Sequence, residues 1–177
     1  MLATPTLWDC AKSYWIKQCY HYLRRANMAT TITAYDHTWK LITTGGLDLG
    51  TSELRLRLVN SGYTFNAAHA QWDNGANNST DPSYNELTTG GGYTAGGKQL
   101  LNPAVSASAI DYDDVTWSSL TATFRYVICV AVGTFGGVVN PVVFCLLPDN
   151  TPADTVSTGS NWTIVWNSTN KVFYRPT

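Results

Sequence analysis

Three histidines, four cysteines and one tight acidic cluster are the groups in this 177-residue sequence whose types could carry chemistry. His21, His37 and His69 are scattered, and none stands at the i, i+4 helical spacing with which paired imidazoles hold a metal. Each therefore reads as a surface or packing residue. Cys10, Cys19, Cys129 and Cys145 include no Cys-x-x-Cys pair, so a zinc site is not expected. Cys129 and Cys145 sit in the apolar runs FRYVICVAV and PVVFCLL, where a buried reduced thiol is the expectation. A bridge between them stays open if the two runs pair as a hairpin. Asp111-Tyr112-Asp113-Asp114 offers the carboxylate oxygens that suit calcium but lacks the rest of a calcium loop, so it reads as a solvated turn. No serine lies in a Gly-x-Ser-x-Gly elbow. The glycine-rich GGGYTAGG lacks the Gly-Lys-Ser/Thr ending that would reach phosphates and magnesium. The expectation is a protein that is not an enzyme, with no catalytic residue, no cofactor and no metal.

The elements that would position such residues are strands. Seven Trp and ten Tyr beside fourteen Gly and many Thr, Ser and Asn suit pleated, half-buried surfaces joined by turns. The length fits one domain with a proper core. In Glu53-Leu54-Arg55-Leu56-Arg57-Leu58 the leucines fall on one face and Glu53, Arg55 and Arg57 on the other, as in an antiparallel strand. Strands are expected near 53–60, 92–101, 114–120, 122–132, 141–147, 162–167 and 171–175, with glycine- and asparagine-rich turns between them. Phe124, Tyr126, Ile128 and Val130 should share a face, as should Val115 and Trp117, because side chains alternate. A short helix is expected over 33–43, with Tyr35, Trp39 and Ile42 on one side and a stop at Gly45-Gly46. The fold class read from this pattern is all-β, an antiparallel, jelly-roll-like β-sandwich with a short helix near residue 35 and an N-terminal helical extension.

That extension, residues 1–28 against a sandwich domain of 29–177, has its own character. Lys12, Lys17, Arg24 and Arg25 against Asp9 give residues 1–27 a charge of +3, while seven basic against eleven acidic residues leave −4 on the remainder. The body therefore has no general attraction for nucleic acid. Trp8, Ala11, Trp15, Cys19 and Tyr22 recur at helical spacing and form one aromatic stripe that needs a cover. Three readings stand: packing on its own domain, burial in a partner as an attachment arm, or a biological start at Met28. No apolar stretch is long enough for a membrane span, and the N-terminus lacks the pattern of a secretory signal. The sequons at Asn78, Asn161 and Asn167 then carry no weight.

Between the first strand and the glycine-rich turn lies SGYTFNAAHAQWDNGAN, which holds more ring surface than a connection needs. Taken together, TTITAYDHTWKLI, GGLDLGTSELRLRLVNSGYTFNAAHAQWD, ELTTGGGYTAGGKQL, DYDDVTWSSLTATFRYVICV and NWTIVWNSTNKVFYR give the chain a resemblance to a family of small tailed-bacteriophage structural proteins. The resemblance runs from about Thr30 to Phe173 and rests on turn and strand signatures. The first 27 residues lie outside it, and NPAVSASAI (Asn102 to Ile110) departs from its usual strand-like segment. The resemblance implies a virion component, a decoration or cement protein made in the host cytoplasm and placed on the outer surface of the capsid. Its partners would be the major capsid protein and copies of itself, with a trimer as the oligomer that the family suggests. The alternative is a tail or fibre component that recognises a host surface glycan. A charged fraction of 13% fits a protein that meets its partners over a broad, neutral surface. On that reading Trp8, Trp15, Tyr22, Arg24 and Arg25 of the extension, with Tyr63, Phe65 and Trp72 of the loop, are the candidate contact residues. The competing reading of the loop is a cover folded over its own core.

Overall fold

Period-two alternation from Leu54 to Val59 puts three leucines against a core and two arginines on the opposite face, and the rest of the architecture is built around that strand. The computed structural model describes residues 31–106, 109–149, 151 and 153–166, and the backbone of 173–174. Its elements are β1 (Thr31–Ala34), α1 (Asp36–Thr43), β2 (Leu54–Val59), a 3-10 turn (Ser83–Asn85), β3 (Lys98–Gln99), β4 (Ala104–Val105), β5 (Ala109–Asp111) and β6 (Val115–Phe124). There follow β7 (Tyr126–Ala131), β8 (Thr134–Phe135), β9 (Val138–Val139), β10 (Val142–Leu147), β11 (Thr155–Ile164) and β12 (Phe173–Tyr174). The fold is all-β and sandwich-like.

One antiparallel sheet has the order β1-β10-β7-β2-β3. Across the core from it lie the β6–β11 pair and the β12-β5-β4 sheet. The main core fills the space between, with Leu54, Leu56 and Leu58 of β2, Val127 and Cys129 of β7, and Phe144 and Leu146 of β10 from the first layer. Val115, Trp117, Leu120 and Phe124 of β6 and Ile164 of β11 meet them from the second. Strand β7 is buried on both faces, since Ile128 and Val130 enter a separate cluster on the outer side of the sheet. That is why YVICVA reads as an apolar run with no alternation.

The strand break expected between 120 and 122 falls at Arg125 instead. Its N–H donates to the Val59 carbonyl at 2.9 Å and its Nε to Asp154 Oδ1 at 2.7 Å, and the chain passes from one layer to the other there. The facing pattern restarts at that residue. Phe124 therefore belongs to the main core while Tyr126, Ile128 and Val130 face the outer cluster, although Val115 and Trp117 do share a face as alternation requires. The strand expected over 92–101 shrinks to Lys98–Gln99, because Gly90, Gly91, Gly92, Gly96 and Gly97 all take positive φ and turn the chain. Strand β11 begins at Thr155, seven residues before the expected start. Asn102 to Ile110 supplies β4 and the start of β5.

The helix is shorter than expected because Thr33 and Ala34 pair with Cys145 and Phe144 as part of β1. It buries Thr38 and Leu41, while Trp39 is exposed, so the expected face of Tyr35, Trp39 and Ile42 is rotated. The stop falls where glycine allows it: Gly45 has φ +70°, the Gly46 N–H donates to the Leu41 carbonyl, and the Gly45 N–H donates to that of Ile42. The N-terminal extension lies outside the described residues.

Candidate functional site

The outer face of the five-stranded sheet carries Arg55, Arg57, Ile128, Val130, Val142 and Cys145, and residues 60–85 fold across much of it. The Asn/Asp content of this segment has a local cause. Asn60, Asn66, Asp73, Asn74, Asn78 and Asp81 each accept, through the side-chain oxygen, the backbone N–H two residues on, which is the asparagine turn that lets a chain bend repeatedly without a strand partner. The segment is anchored to the sheet by its backbone. Trp72 N–H donates to Asn140, Val142 N–H to Ala70 and Asp36 N–H to Ala67, each to the carbonyl. Its rings then fill the second core, where Tyr63 is 1% and Trp72 4% exposed. Phe65 is half-buried against Tyr35, with ring centroids 5.3 Å apart.

Two of the candidate contact residues are buried within the domain. Tyr63 and Trp72 belong to the domain's own packing, the cover reading of the loop, because a flat sheet face rich in Ile and Val must be shielded from water. Trp8, Trp15, Tyr22, Arg24 and Arg25 lie outside the described residues, as do His21, Cys10 and Cys19.

Two of the histidines that seemed scattered, His37 and His69, are brought together. Tyr35 Oη lies 3.1 Å from Tyr63 Oη, and Tyr63 Oη lies 2.7 Å from His69 Nδ1, so three polar groups form one chain inside an apolar cluster. His37 is at the same place, its ring 6.4 Å from that of Tyr35. Burial lowers the proton affinity of His37, with the His69 and Val142 backbone and the Asp36 carboxylate opposing it. Burial likewise lowers that of His69, opposed by Asp81. Burial raises the Tyr35 and Tyr63 phenols well above their ordinary value. All four groups are thus held neutral near pH 7, the state in which buried polar groups cost least.

Cys129 and Cys145 do lie on paired strands, but Cys129 is opposite Phe144 and Cys145 opposite Ile128. The two thiols point to different cores and are both free and buried. The acidic cluster is used internally. Asp114 Oδ1 accepts the Trp166 N–H at 3.0 Å, the Asp113 carbonyl accepts Trp166 Nε1 at 3.0 Å, and Asp113 Oδ2 accepts Asn102 Nδ2 at 2.6 Å. It clasps the chain after β11 to the turn before β6. Among the described residues, no group of three or more His, Cys, Asp or Glu stands where it could hold a metal ion, and no helix is long and apolar enough to cross a membrane.

The GGGYTAGG turn has a structural task that its composition concealed. Glu86 Oε1 accepts the Tyr93 hydroxyl at 2.6 Å and the Gly96 N–H at 2.7 Å, its other oxygen lies 3.6 Å from Arg57 Nη1, and Arg57 in turn lies 4.6 Å from the Trp72 ring centre. Strand β2, the aromatic segment and the glycine turn meet at this one carboxylate. Gly97 closes the turn so tightly, at φ +70°, that a Cβ there would stand 2.1 Å from the Leu56 carbonyl oxygen. Gly97→Ala is expected to destabilise the domain by more than about 1 kcal/mol, since both the conformation and the space forbid a side chain. Chemical denaturation of the variant checks this.

What the sequence reading missed is a surface. β6 and β11 are ten residues each, contain no Asp, Glu, Lys or Arg, and pair along their length. Their outward positions are hydroxyl-rich: Thr121 opposes Thr158, Thr123 opposes the 66%-exposed Val156, and Thr116 and Thr163 share a 2.8 Å hydrogen bond. The signal was present as the alternate Thr and Ser residues of VTWSSLTATF and TVSTGSNWTI.

No protein-family model, curated protein or solved structure matches this chain.

Proposed function

We propose that this chain is a non-enzymatic structural protein of a tailed-bacteriophage virion, a decoration protein that binds and stabilises the major capsid shell. The observation that carries the reading is the outward face of β6 and β11, an exposed two-stranded surface none of whose own residues is charged, with the Lys98 ammonium bonded to it at the Thr116 carbonyl. Such a face can be covered by a partner without desolvating ions, which is the expensive part of burying polar surface. Most of the side chains whose types could do chemistry support it as well, since the described histidines, cysteines and acidic-cluster residues are engaged in packing or in internal hydrogen bonds. Binding of this kind stabilises the assembled shell by mass action, because the assembled surface and not the isolated subunit is the ligand.

The glycan-recognition alternative needs open rings for stacking. Among the described aromatic residues only Tyr84, at 62%, and Trp39, at 39%, are exposed, while Tyr63, Tyr93, Trp72 and Trp117 are buried. That balance favours the shell. The segment of residues 1–27, with its charge of +3, remains the candidate attachment arm and a second point of contact.

A single charge on the proposed face tests the assignment. Thr121→Glu is an exposed change and is expected to leave stability within about 0.5 kcal/mol. Shell binding is expected to weaken by about 2–5 kcal/mol, roughly 30-fold or more, because an unpaired carboxylate would be buried at the contact. Sedimentation of the variant with shells of the cognate major capsid protein reads the outcome. Undiminished binding with an unchanged melting temperature would remove this face from the interface.

A further inference from the structure

The polar chain in the second core has a direction. A phenol O–H is a stronger acid than a neutral imidazole N–H, and an imidazole nitrogen is a stronger base than a phenol oxygen. The 2.7 Å contact therefore has Tyr63 donating to a bare His69 Nδ1, which places the ring proton on Nε2. With its hydrogen committed there, Tyr63 Oη accepts from Tyr35 at 3.1 Å. The chain spans three pieces of the fold: Tyr35 at the start of α1, packed against the outer sheet face, and Tyr63 and His69 in the segment that covers that face.

We propose that the Tyr35–Tyr63–His69 chain is a proton-operated latch that holds segment 60–85 on the outer face of the sheet and releases it when His69 Nδ1 takes up a proton. A proton at Nδ1 turns the acceptor into a donor. Tyr63 then faces donors on both sides, Tyr35 and His69, and its own hydrogen loses its partner inside an apolar cluster of Val59, Ile128, Val130 and Val142. A reversed chain would leave Tyr35 Oη only the weakly accepting Cys145 sulfur to donate to, so full bonding is restored by movement of the segment.

The groups around His69 set the sense of the response. Asp81 is the acid that acts on it. Burial works to raise the Asp81 pKa, but hydrogen bonds from Ser83, Asn77 and Tyr84 outweigh it and keep the carboxylate ionised, so it moderates the resistance of His69 to protonation. Asp36 on α1 faces His37, while Tyr126 of β7 and Cys145 of β10 flank the two phenols and are neutral. The net direction for His69 is downward from the free-imidazole value. Between its folded and unfolded proton affinities the released segment binds more protons than the docked one. Docking is therefore complete above about pH 6.5 and weakens as the pH falls below it.

Nuclear magnetic resonance on the full chain and on single-residue variants tests it. The ring nitrogens of His69 are expected to report the Nε2–H tautomer at pH 7.5. Amide exchange at Asp36, Trp72 and Val142, whose N–H groups tie the segment to the sheet and helix, is expected to accelerate at least tenfold, beyond the intrinsic rate, as His69 titrates. Core amides of β2 and β7 should hold their protection over the same range. Tyr63→Phe is expected to abolish the pH response, and so is His69→Gln, whose amide oxygen can still accept from Tyr63. A neutral Nδ1–H tautomer, protection that stays flat through the His69 titration, or a response removed by His37→Gln and not by His69→Gln would each overturn the latch.

Discussion

Trp117→Ala is expected to lower the stability of the domain by about 3–5 kcal/mol, the range for truncating a buried aromatic residue. Trp117 is 1% exposed in the middle of β6, and its ring centre lies 5.4 Å from that of Trp162, which in turn meets Phe124 edge-on at 4.9 Å. These rings close the layer opposite the five-stranded sheet, so the cavity left behind would open between the two layers. Trp117→Phe is expected to cost much less. The indole Nε1 is buried without a hydrogen-bond partner among the described residues, and removing it offsets part of the lost contact area. Urea denaturation of both variants checks the order; equal losses would mean that the phenyl ring recovers none of the indole's contacts.

The second large effect is expected at Glu86. Its side chain is 13% and that of Arg57 14% exposed, so the pair is poorly screened. Glu86→Ala would leave the Arg57 guanidinium, the Tyr93 hydroxyl and the Gly96 N–H without their acceptor at once. A loss of about 3–5 kcal/mol follows from stranding a buried charge. Glu86→Gln keeps the hydrogen-bond acceptor and loses the charge, so an intermediate loss is expected. The phenol is insensitive to mild alkali. Burial and the neighbouring carboxylate push the Tyr93 pKa far above its ordinary value, so it donates throughout the accessible range and loses no proton in mild alkali. An unchanged midpoint for Glu86→Ala would show that the three elements meeting there are held by other contacts.

The parts of this fold that the sequence made legible are those where one surface decides the pattern. β2 has a buried side and a side carrying arginines, and its Leu/Arg alternation reads directly. Val115 and Trp117 follow the same logic, and the helix stop at Gly45 follows from the left-handed backbone it needs. The reading failed where two surfaces compete. Arg125 interrupts an otherwise continuous β stretch, and only the Val59 carbonyl and Asp154 that hold it show that the facing resets there. Strand β1 has four residues and is defined by its register with β10, a long-range pairing that local propensity cannot supply.

The site was less legible than the fold. Tyr63 and Trp72 looked like contact residues because a loop rich in rings resembles an interface, and from the sequence the outer sheet face that they shield had no visible cover. Glu86 and Tyr93 gave no signal at all, since their partners are distant in sequence or hidden in a glycine-rich turn. The neutral β6–β11 face was readable, yet the absence of charge over two strands carries weight only once the strands are known to be neighbours.

Cryo-electron microscopy of particles purified from the source of this chain tests the proposed virion role most directly. The predicted result is density for the β-sandwich on the outer surface of the capsid at regular shell positions, with the β6–β11 face turned toward the major capsid protein or toward a neighbouring copy. Density confined to the tail, or virions that lack the chain, would contradict it.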